Sequence, residues 1–248
     1  MQEHTSPITQ AVILSAGLGT RLRSVVKDAP KVMAPFEGKP LLEHHLLRFK
    51  KHGIADFFVN LHYLPDAITS YFGDGSKWGV KITYALETPD ILGTAGGVKN
   101  FDGKLRDNFF VIYGDMFSLI DYAKMAEEFS KRAGHIGMVL IGPTDHPHDS
   151  DLIEVDKEMR FTRMWQKPHP DNLPTDLSLL ACYVFNERIL SYIPRKQYYE
   201  IDHQLLPDVI AKKETVSGYL SDDYIMDIGT PERYANVQAY VKNLAEKN

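Results

Sequence analysis

The sequence predicts an α/β protein: a Rossmann-like, mainly parallel sheet sandwiched by helices, with a small β-rich insertion. Three observations predict it. Short runs rich in Val, Ile and Phe alternate with segments of helical periodicity through the first half of the chain, as βαβ units require. The first such run ends in a glycine-bearing turn, and the 248 residues are 44% hydrophobic, enough for a sizeable core.

Taken in order, Ala11–Leu14 is too short for a helix and rich enough in Val and Ile for a buried strand. From Pro40 to His52, Leu41, Leu42, Leu46, Leu47 and Phe49 recur at helical spacing and stop at Gly53. Phe57–Leu61 reads as a strand, Pro65–Phe72 as a short helix with Pro in its first turn, and Val80–Leu86 as a strand. Asn108–Tyr113 is a strand closed by Gly114-Asp115. Ile120–Ala133 is an amphipathic helix and Ile136–Ile141 a strand. Short strands then follow at Leu152–Val155, Phe161–Trp165 and Leu177–Phe185, before helices at Ile201–Ala211 and Thr230–Leu244. Residues 1–9 are expected to be a loose leader and residues 10–248 one domain. Within it, residues 10–145 would form a first part and residues 146–248 a second, which ends in the C-terminal helix. No hexapeptide repeat follows the last helix, so no appended β-helix is expected.

A net charge of −5 speaks against nucleic acid or an anionic membrane as partner. No apolar span is long enough to cross a bilayer, which suggests a cytoplasmic protein. The single Cys182 lies in an apolar run and reads as a buried thiol. His146, His148, Asp149 and Asp151 lie among loop prolines and carry little weight as a zinc site, while His44 and His45 ride on a helix.

Against that acidic balance stands a local burst of cations. Ser15-Ala16-Gly17-Leu18-Gly19-Thr20 is followed by Arg21, Arg23, Lys27 and Lys31. Glycines at a strand end let backbone N–H groups crowd round an anion, and Arg21 and Lys31 can neutralise what remains. A dinucleotide fingerprint would need Gly or Ala where Leu22 stands, and a Walker loop would need Gly-Lys-Ser/Thr. Gly-x-Gly-Thr-Arg followed by Pro30-Lys31 instead resembles the signature of the sugar-1-phosphate nucleotidyltransferases. Residues 10–240 look most like the guanylyltransferases acting on D-glycero-D-manno-heptose 1-phosphate or mannose 1-phosphate.

The resemblance implies the fold named above, in its nucleotide-diphospho-sugar transferase form, with 10–145 as the nucleotide-binding part and 146–248 as the sugar-binding part with the C-terminal helix. It also implies attack of a sugar 1-phosphate on the α-phosphorus of a nucleoside triphosphate, GTP favoured, for surface polysaccharide synthesis. Arg21 and Lys31 would be catalytic. Leu14, Ala16, Gly17, Gly19, Thr20, Glu87, Gly93 and Thr94 would hold the nucleotide, and Gly97, Gln166 and Lys167 the sugar phosphate. Asp115 and Asp227, in Gly-Asp and Asp-x-Gly-Thr-Pro-Glu, would hold Mg²⁺; their alternatives are a turn cap and a helix-start Asp. Glu87 could accept both adjacent donors of guanine, its alternative being a solvent-exposed side chain. Lys167 is otherwise a surface lysine in a turn. Two departures touch the sugar: Gln166 replaces the usual Glu of Glu-Lys-Pro, and Leu179-x-Ala181 replaces Asn-x-Gly. No nucleic acid or membrane partner is implied, and a homodimer is compatible. The alternative within the family is uridylyl, thymidylyl or cytidylyl transfer to another sugar phosphate; two rivals outside it are a nucleotide-sugar glycosyltransferase using Asp149-Ser150-Asp151 and a non-catalytic nucleotide sensor.

Overall fold

The computed structural model describes residues 8–22, 25–27, 29–170 and 172–246. In chain order the elements begin β1 (Gln10–Leu14), β2 (Pro35–Phe36), β3 (Lys39–Pro40), α1 (Leu41–Lys51), β4 (Asp56–Leu61), α2 (Pro65–Phe72) and β5 (Lys81–Leu86). They continue with α3 (Gly93–Lys99), β6 (Asn108–Tyr113), β7 (Met116–Ser118), α4 (Tyr122–Ser130) and β8 (Gly137–Pro143). The rest are β9 (Leu152–Val155), β10 (Phe161–Trp165), β11 (Leu177–Asn186), α5 (Leu206–Ala211), β12 (Val216–Leu220), β13 (Ile225–Asp227) and α6 (Pro231–Glu246). The α/β class is as expected, and the chain divides into two compact units.

The first unit comprises Thr9–Ile91, Ile112–Ile120 and Asp223–Asn248. Here β1, β4 and β5 are parallel, with Gln10 opposite Asp56 and Asp56 opposite Lys81. Parallel neighbours need crossovers, and α1 and α2 supply them. Helix α1 buries Leu41, Leu42, Leu46 and Phe49 completely, and Gly53 at φ 85° ends it. Of the expected leader, residues 1–7 lie outside the described residues, while the Thr9 carbonyl accepts the Ala55 and Asp56 N–H groups. A core of Leu22, Phe36, Leu41, Phe117, Ile228, Tyr234 and Val237 packs the segment after β1 against α6 and the β7–β13 ribbon. That core holds the cationic loop in place.

Among the described residues, the second unit comprises Ile8, Leu92–Val111 and Asp121–Asp222. It carries the β-rich segment: β8 pairs antiparallel with β11 and parallel with β12, and β9 pairs antiparallel with β10. Several expected boundaries move. Helix α4 runs Tyr122–Ser130; it starts at Tyr122 because the Asp121 carboxylate accepts the Lys124 N–H and caps it there. The helix expected over 201–211 opens as a π-helical turn, Ile201–Leu205, before α5. Strand β12, the β2–β3 pair and β7 had no counterpart in the sequence reading. Cys182 is fully buried, and burial pushes its thiol pKa up, as expected of a structural cysteine. Among the described residues no helix is long and apolar enough to cross a membrane.

Candidate active site

The loop after β1 is fixed before any ligand arrives. Ser15 N–H donates to Asn60 Oδ1 at 2.6 Å, and Gly114 N–H donates to the Leu14 carbonyl at 2.8 Å. A β-carbon on Gly114 would stand 2.6 Å from that carbonyl oxygen, so the two segments meet only because residue 114 is Gly. Ala16 is buried, whereas Gly17 and Thr20 face solvent. Gly19 adopts φ 58°, and a β-carbon there would press on Lys31 Cβ at 3.3 Å. Arg21 follows on a single 3₁₀ turn, Thr20–Leu22, whose Leu22 is anchored in the core.

Lys31 opens a second such turn behind Pro30, and its Nζ lies 2.8 Å from Asp115 Oδ2. Asp115 occupies the turn between β6 and β7, and its carbonyl accepts the Ile228 N–H at 2.9 Å. Asp227 ends β13 opposite Met116. Its Oδ1 accepts the Gly229 N–H at 2.8 Å, and its Oδ2 accepts from Arg233 Nη1 at 2.5 Å. A β-carbon on Gly229 would lie 2.5 Å from Asp227 Oδ1 and 3.7 Å from Arg21 Nη2. Arg21, Lys31, Asp115 and Asp227, scattered over 200 residues of sequence, are thereby gathered about Gly19 and Gly229 in the first unit. Arg233 was missed by the sequence reading; its place in the first turn of α6, six residues after Asp227, was the available signal.

A donor set of two carboxylates suits Mg²⁺, which keeps several waters and binds phosphate oxygens alongside one or two acids. Among the described residues no group of three or more His, Cys, Asp or Glu side chains could hold a metal, so a closed, tetrahedral protein cage is not what this arrangement offers.

His45 is completely buried behind Asp115, and its Nε2 is 3.2 Å from the Gly114 carbonyl. Burial lowers its pKa to about 4, so the ring is neutral near pH 7 and donates from Nε2. The unfolded chain therefore takes up a proton near pH 6.5 that the folded one refuses. Stability is full above that pH and falls as acid approaches pH 4, by on the order of 3 kcal/mol. Urea midpoints measured from neutral pH down to about 4 should fall less steeply in His45→Gln than in the wild type; equal slopes would remove His45 as the cause. His44 is held by the Phe36 carbonyl at 2.9 Å.

Glu87 is only 2% exposed, which corrects the solvent-exposed alternative. Asn60 Nδ2 donates to its Oε1 at 2.8 Å, so a single Asn joins Ser15 to Glu87. Leu14 ends β1, half-buried.

The other expected site residues belong to the second unit. Gly93 adopts φ 74°, where a β-carbon would meet the Tyr199 carbonyl oxygen at 2.7 Å. Thr94 Oγ1 accepts the Ile201 N–H at 2.8 Å, and Gly97 is buried in α3. Gln166 Nε2 donates to the His203 carbonyl at 2.8 Å and to that of Asp202 at 3.3 Å. Lys167 N–H donates to Asp151 Oδ1 at 3.1 Å, and its Nζ to the Asp149 carbonyl at 2.7 Å. Ala181 takes φ 50° inside a register shift of β11, a conformation suited to the Gly of the Asn-x-Gly pattern.

The sequence profile described as Nucleotidyl transferase matches residues 10–243. A mannose-1-phosphate guanylyltransferase of Mycobacterium tuberculosis is 33% identical over 92% of this chain and 63% of its own length. The chain thus spans under two thirds of that relative. A D-glycero-alpha-D-manno-heptose 1-phosphate guanylyltransferase of Campylobacter jejuni is 32% identical over 91% of this chain and 96% of its own. The crystal structure of HddC from Yersinia pseudotuberculosis superposes with a TM-score of 0.76 at 25% identity, covering 94% of this chain and 99% of that one. A profile match over nearly the whole chain, on a fold shared with such a structure, makes this protein a member of the nucleotidyl transferase family.

Proposed function

We propose that this protein transfers a guanylyl group from GTP to a sugar 1-phosphate of the mannose or D-glycero-D-manno-heptose type, releasing pyrophosphate. One observation carries the reading: two cations and two carboxylates from distant parts of the chain gather at a strand end beside a glycine turn. Open α/β sheets bind ligands beyond the carboxyl ends of their strands, and phosphoryl chemistry depends on positioning and charge.

In this reading, the N–H groups around Gly17, Gly19 and Thr20 cradle the triphosphate, with Leu14 and Ala16 beneath the nucleoside. Arg21 steadies the departing pyrophosphate and Lys31 meets the charge that builds at the α-phosphate. Asp115 and Asp227 are the residues that would hold Mg²⁺, which when bound supplies charge neutralisation along the triphosphate. A sugar-phosphate oxygen forms the new bond to the α-phosphorus as the bond to pyrophosphate breaks. The attacking phosphate is already ionised at neutral pH, so no general base is needed. Lys167 and Gly97 bind the sugar phosphate. In this reading Glu87, oriented by Asn60, accepts the N1–H and 2-amino group of guanine together. The two guanylyltransferase relatives support the same base.

The test is pyrophosphate release with Mg²⁺ from GTP, UTP, dTTP, CTP or ATP, each paired with mannose, heptose, glucose and N-acetylglucosamine 1-phosphates. GTP with a manno-configured sugar should exceed every other pair by about tenfold or more. A uridylyl or thymidylyl optimum would overturn the base assignment, and no release from any pair would overturn nucleotidyl transfer itself.

A further inference from the structure

The Gln166-Lys167 pair is braced by a network that the proposed chemistry does not account for. Strand β10 runs antiparallel to β9 with Trp165 opposite Leu152. The next residue on each strand therefore brings Gln166 and Lys167 beside Asp151. Asp151 accepts the Lys167 N–H through Oδ1, and its Oδ2 lies 2.7 Å from His203 Nε2. On the other side of the ring, His203 Nδ1 lies 3.1 Å from Glu200 Oε2. Gln166 closes the circuit by donating to the His203 carbonyl. His203 itself sits in the π-helical turn Ile201–Leu205, an irregularity often found at functional sites.

Both ring nitrogens face carboxylate oxygens. Ionised carboxylates only accept, so the form of the ring that satisfies both contacts is the doubly protonated cation. Asp151 and Glu200 side chains are 14% and 33% exposed. Without that cation, the Asp151 charge would stand uncompensated against the Lys167 backbone, with Glu200 uncompensated on the far side of the ring. A phosphomonoester approaching Lys167 would meet them. Gln166 belongs to the same device: a Glu there would set a carboxylate against two carbonyl oxygens, where the amide donates.

The geometry points to His203 as a positioning residue for the sugar 1-phosphate: as a cation bridging Asp151 and Glu200, it cancels carboxylate charge beside Lys167 and fixes the Gln166-Lys167 pair. This rests on the reading of Lys167 as a sugar-phosphate contact.

Other charged groups surround the imidazole. Glu200 also accepts from Tyr198, whose pKa is pushed up to about 12, mainly by that bond. Asp202 accepts from Tyr183. His169 faces the Ser150 carbonyl, which raises its pKa most, and it feels Asp151 as well. Burial opposes protonation of His203, but Asp151 and Glu200 outweigh it and the pKa rises above 6.5. The cation is therefore lost as pH climbs through that raised value, and substrate affinity should fall with it. Ionisation of the substrate's own phosphate, near pH 6, acts on the acid side.

The experiment uses the full chain, with histidine NMR signals assigned through His203→Gln and mannose 1-phosphate or inorganic phosphate as titrants. His203 should titrate above 6.5, and higher still with mannose 1-phosphate bound. Affinity should weaken about three- to tenfold in His203→Gln, and the wild type's alkaline fall should vanish. His203→Arg, whose planar cation can span both carboxylates, should regain most of the loss. Equal affinities and pH profiles in wild type and His203→Gln would overturn the assignment. So would His203→Arg binding as weakly as His203→Gln, or neither titrant binding. A wild type that binds mannose 1-phosphate in this way yet forms no nucleotide sugar would sink the function proposed above and leave His203 standing.

Discussion

Replacing Lys31 by Met should lower nucleotidyl transfer by about 10²- to 10³-fold, the loss typical of removing one preorganised group from a site of developing charge. The substitution isolates the charge. Gly19 packs on the Lys31 stem rather than its ammonium, and Met keeps an apolar stem of similar reach. The lost ion pair with Asp115 is 16% and 30% exposed at its two ends, so water screens much of what remains uncompensated. The melting temperature should stay within about 3 °C of wild type. Steady-state kinetics with saturating GTP, set beside a thermal melt, decide the matter. Turnover within a few-fold of wild type would remove Lys31 from the chemistry.

How much of this was legible in the sequence follows from where each signal lives. Pro65 at the first turn and Gly73 past the last fix α2, and both act within the helix, so its bounds matched residue by residue. The run Asn108–Tyr113 is buried on both faces and has no polar alternation to confuse it. Strand β12 was hidden because Gly218 interrupts it. That Gly is there because a β-carbon would lie 2.5 Å from Ile141 Cδ1 on the neighbouring strand, a contact no local pattern reports.

The same division runs through the site. Gly19, Arg21, Lys31, Asp115 and Asp227 sit at strand ends and in glycine turns, where sequence and backbone geometry coincide. Asn60 and His203 were invisible because each depends on a partner 27 or 52 positions away, whereas Arg233, six residues after Asp227, left a local signal that the reading passed over. Glu87 was half-legible. Its position at the end of β5 could be read, but its burial depends on Asn60 from the next strand.

Asp227→Asn should cost at least about 10²-fold in turnover and raise the Mg²⁺ concentration needed for half-activity. The amide keeps an Oδ1 to accept the Gly229 N–H, so the turn between β13 and α6 should survive. What it gives up is charge, and charge has two competing uses here. Arg233 lies 2.5 Å from Asp227 Oδ2, and a purely structural role would be to tie the first turn of α6 to the end of β13. The pair is 48% and 30% exposed, so its loss should be small in stability terms. Arg233→Met separates the two uses: it breaks the same ion pair and leaves the carboxylate. If Asp227 serves a divalent ion and Arg21's neighbourhood, Arg233→Met should retain turnover within a few-fold while Asp227→Asn does not. Weakened Mn²⁺ binding by electron paramagnetic resonance should appear in Asp227→Asn alone. Equal losses in the two variants would make Asp227 a helix-start residue, and the paired-acid reading of the site would fall with it.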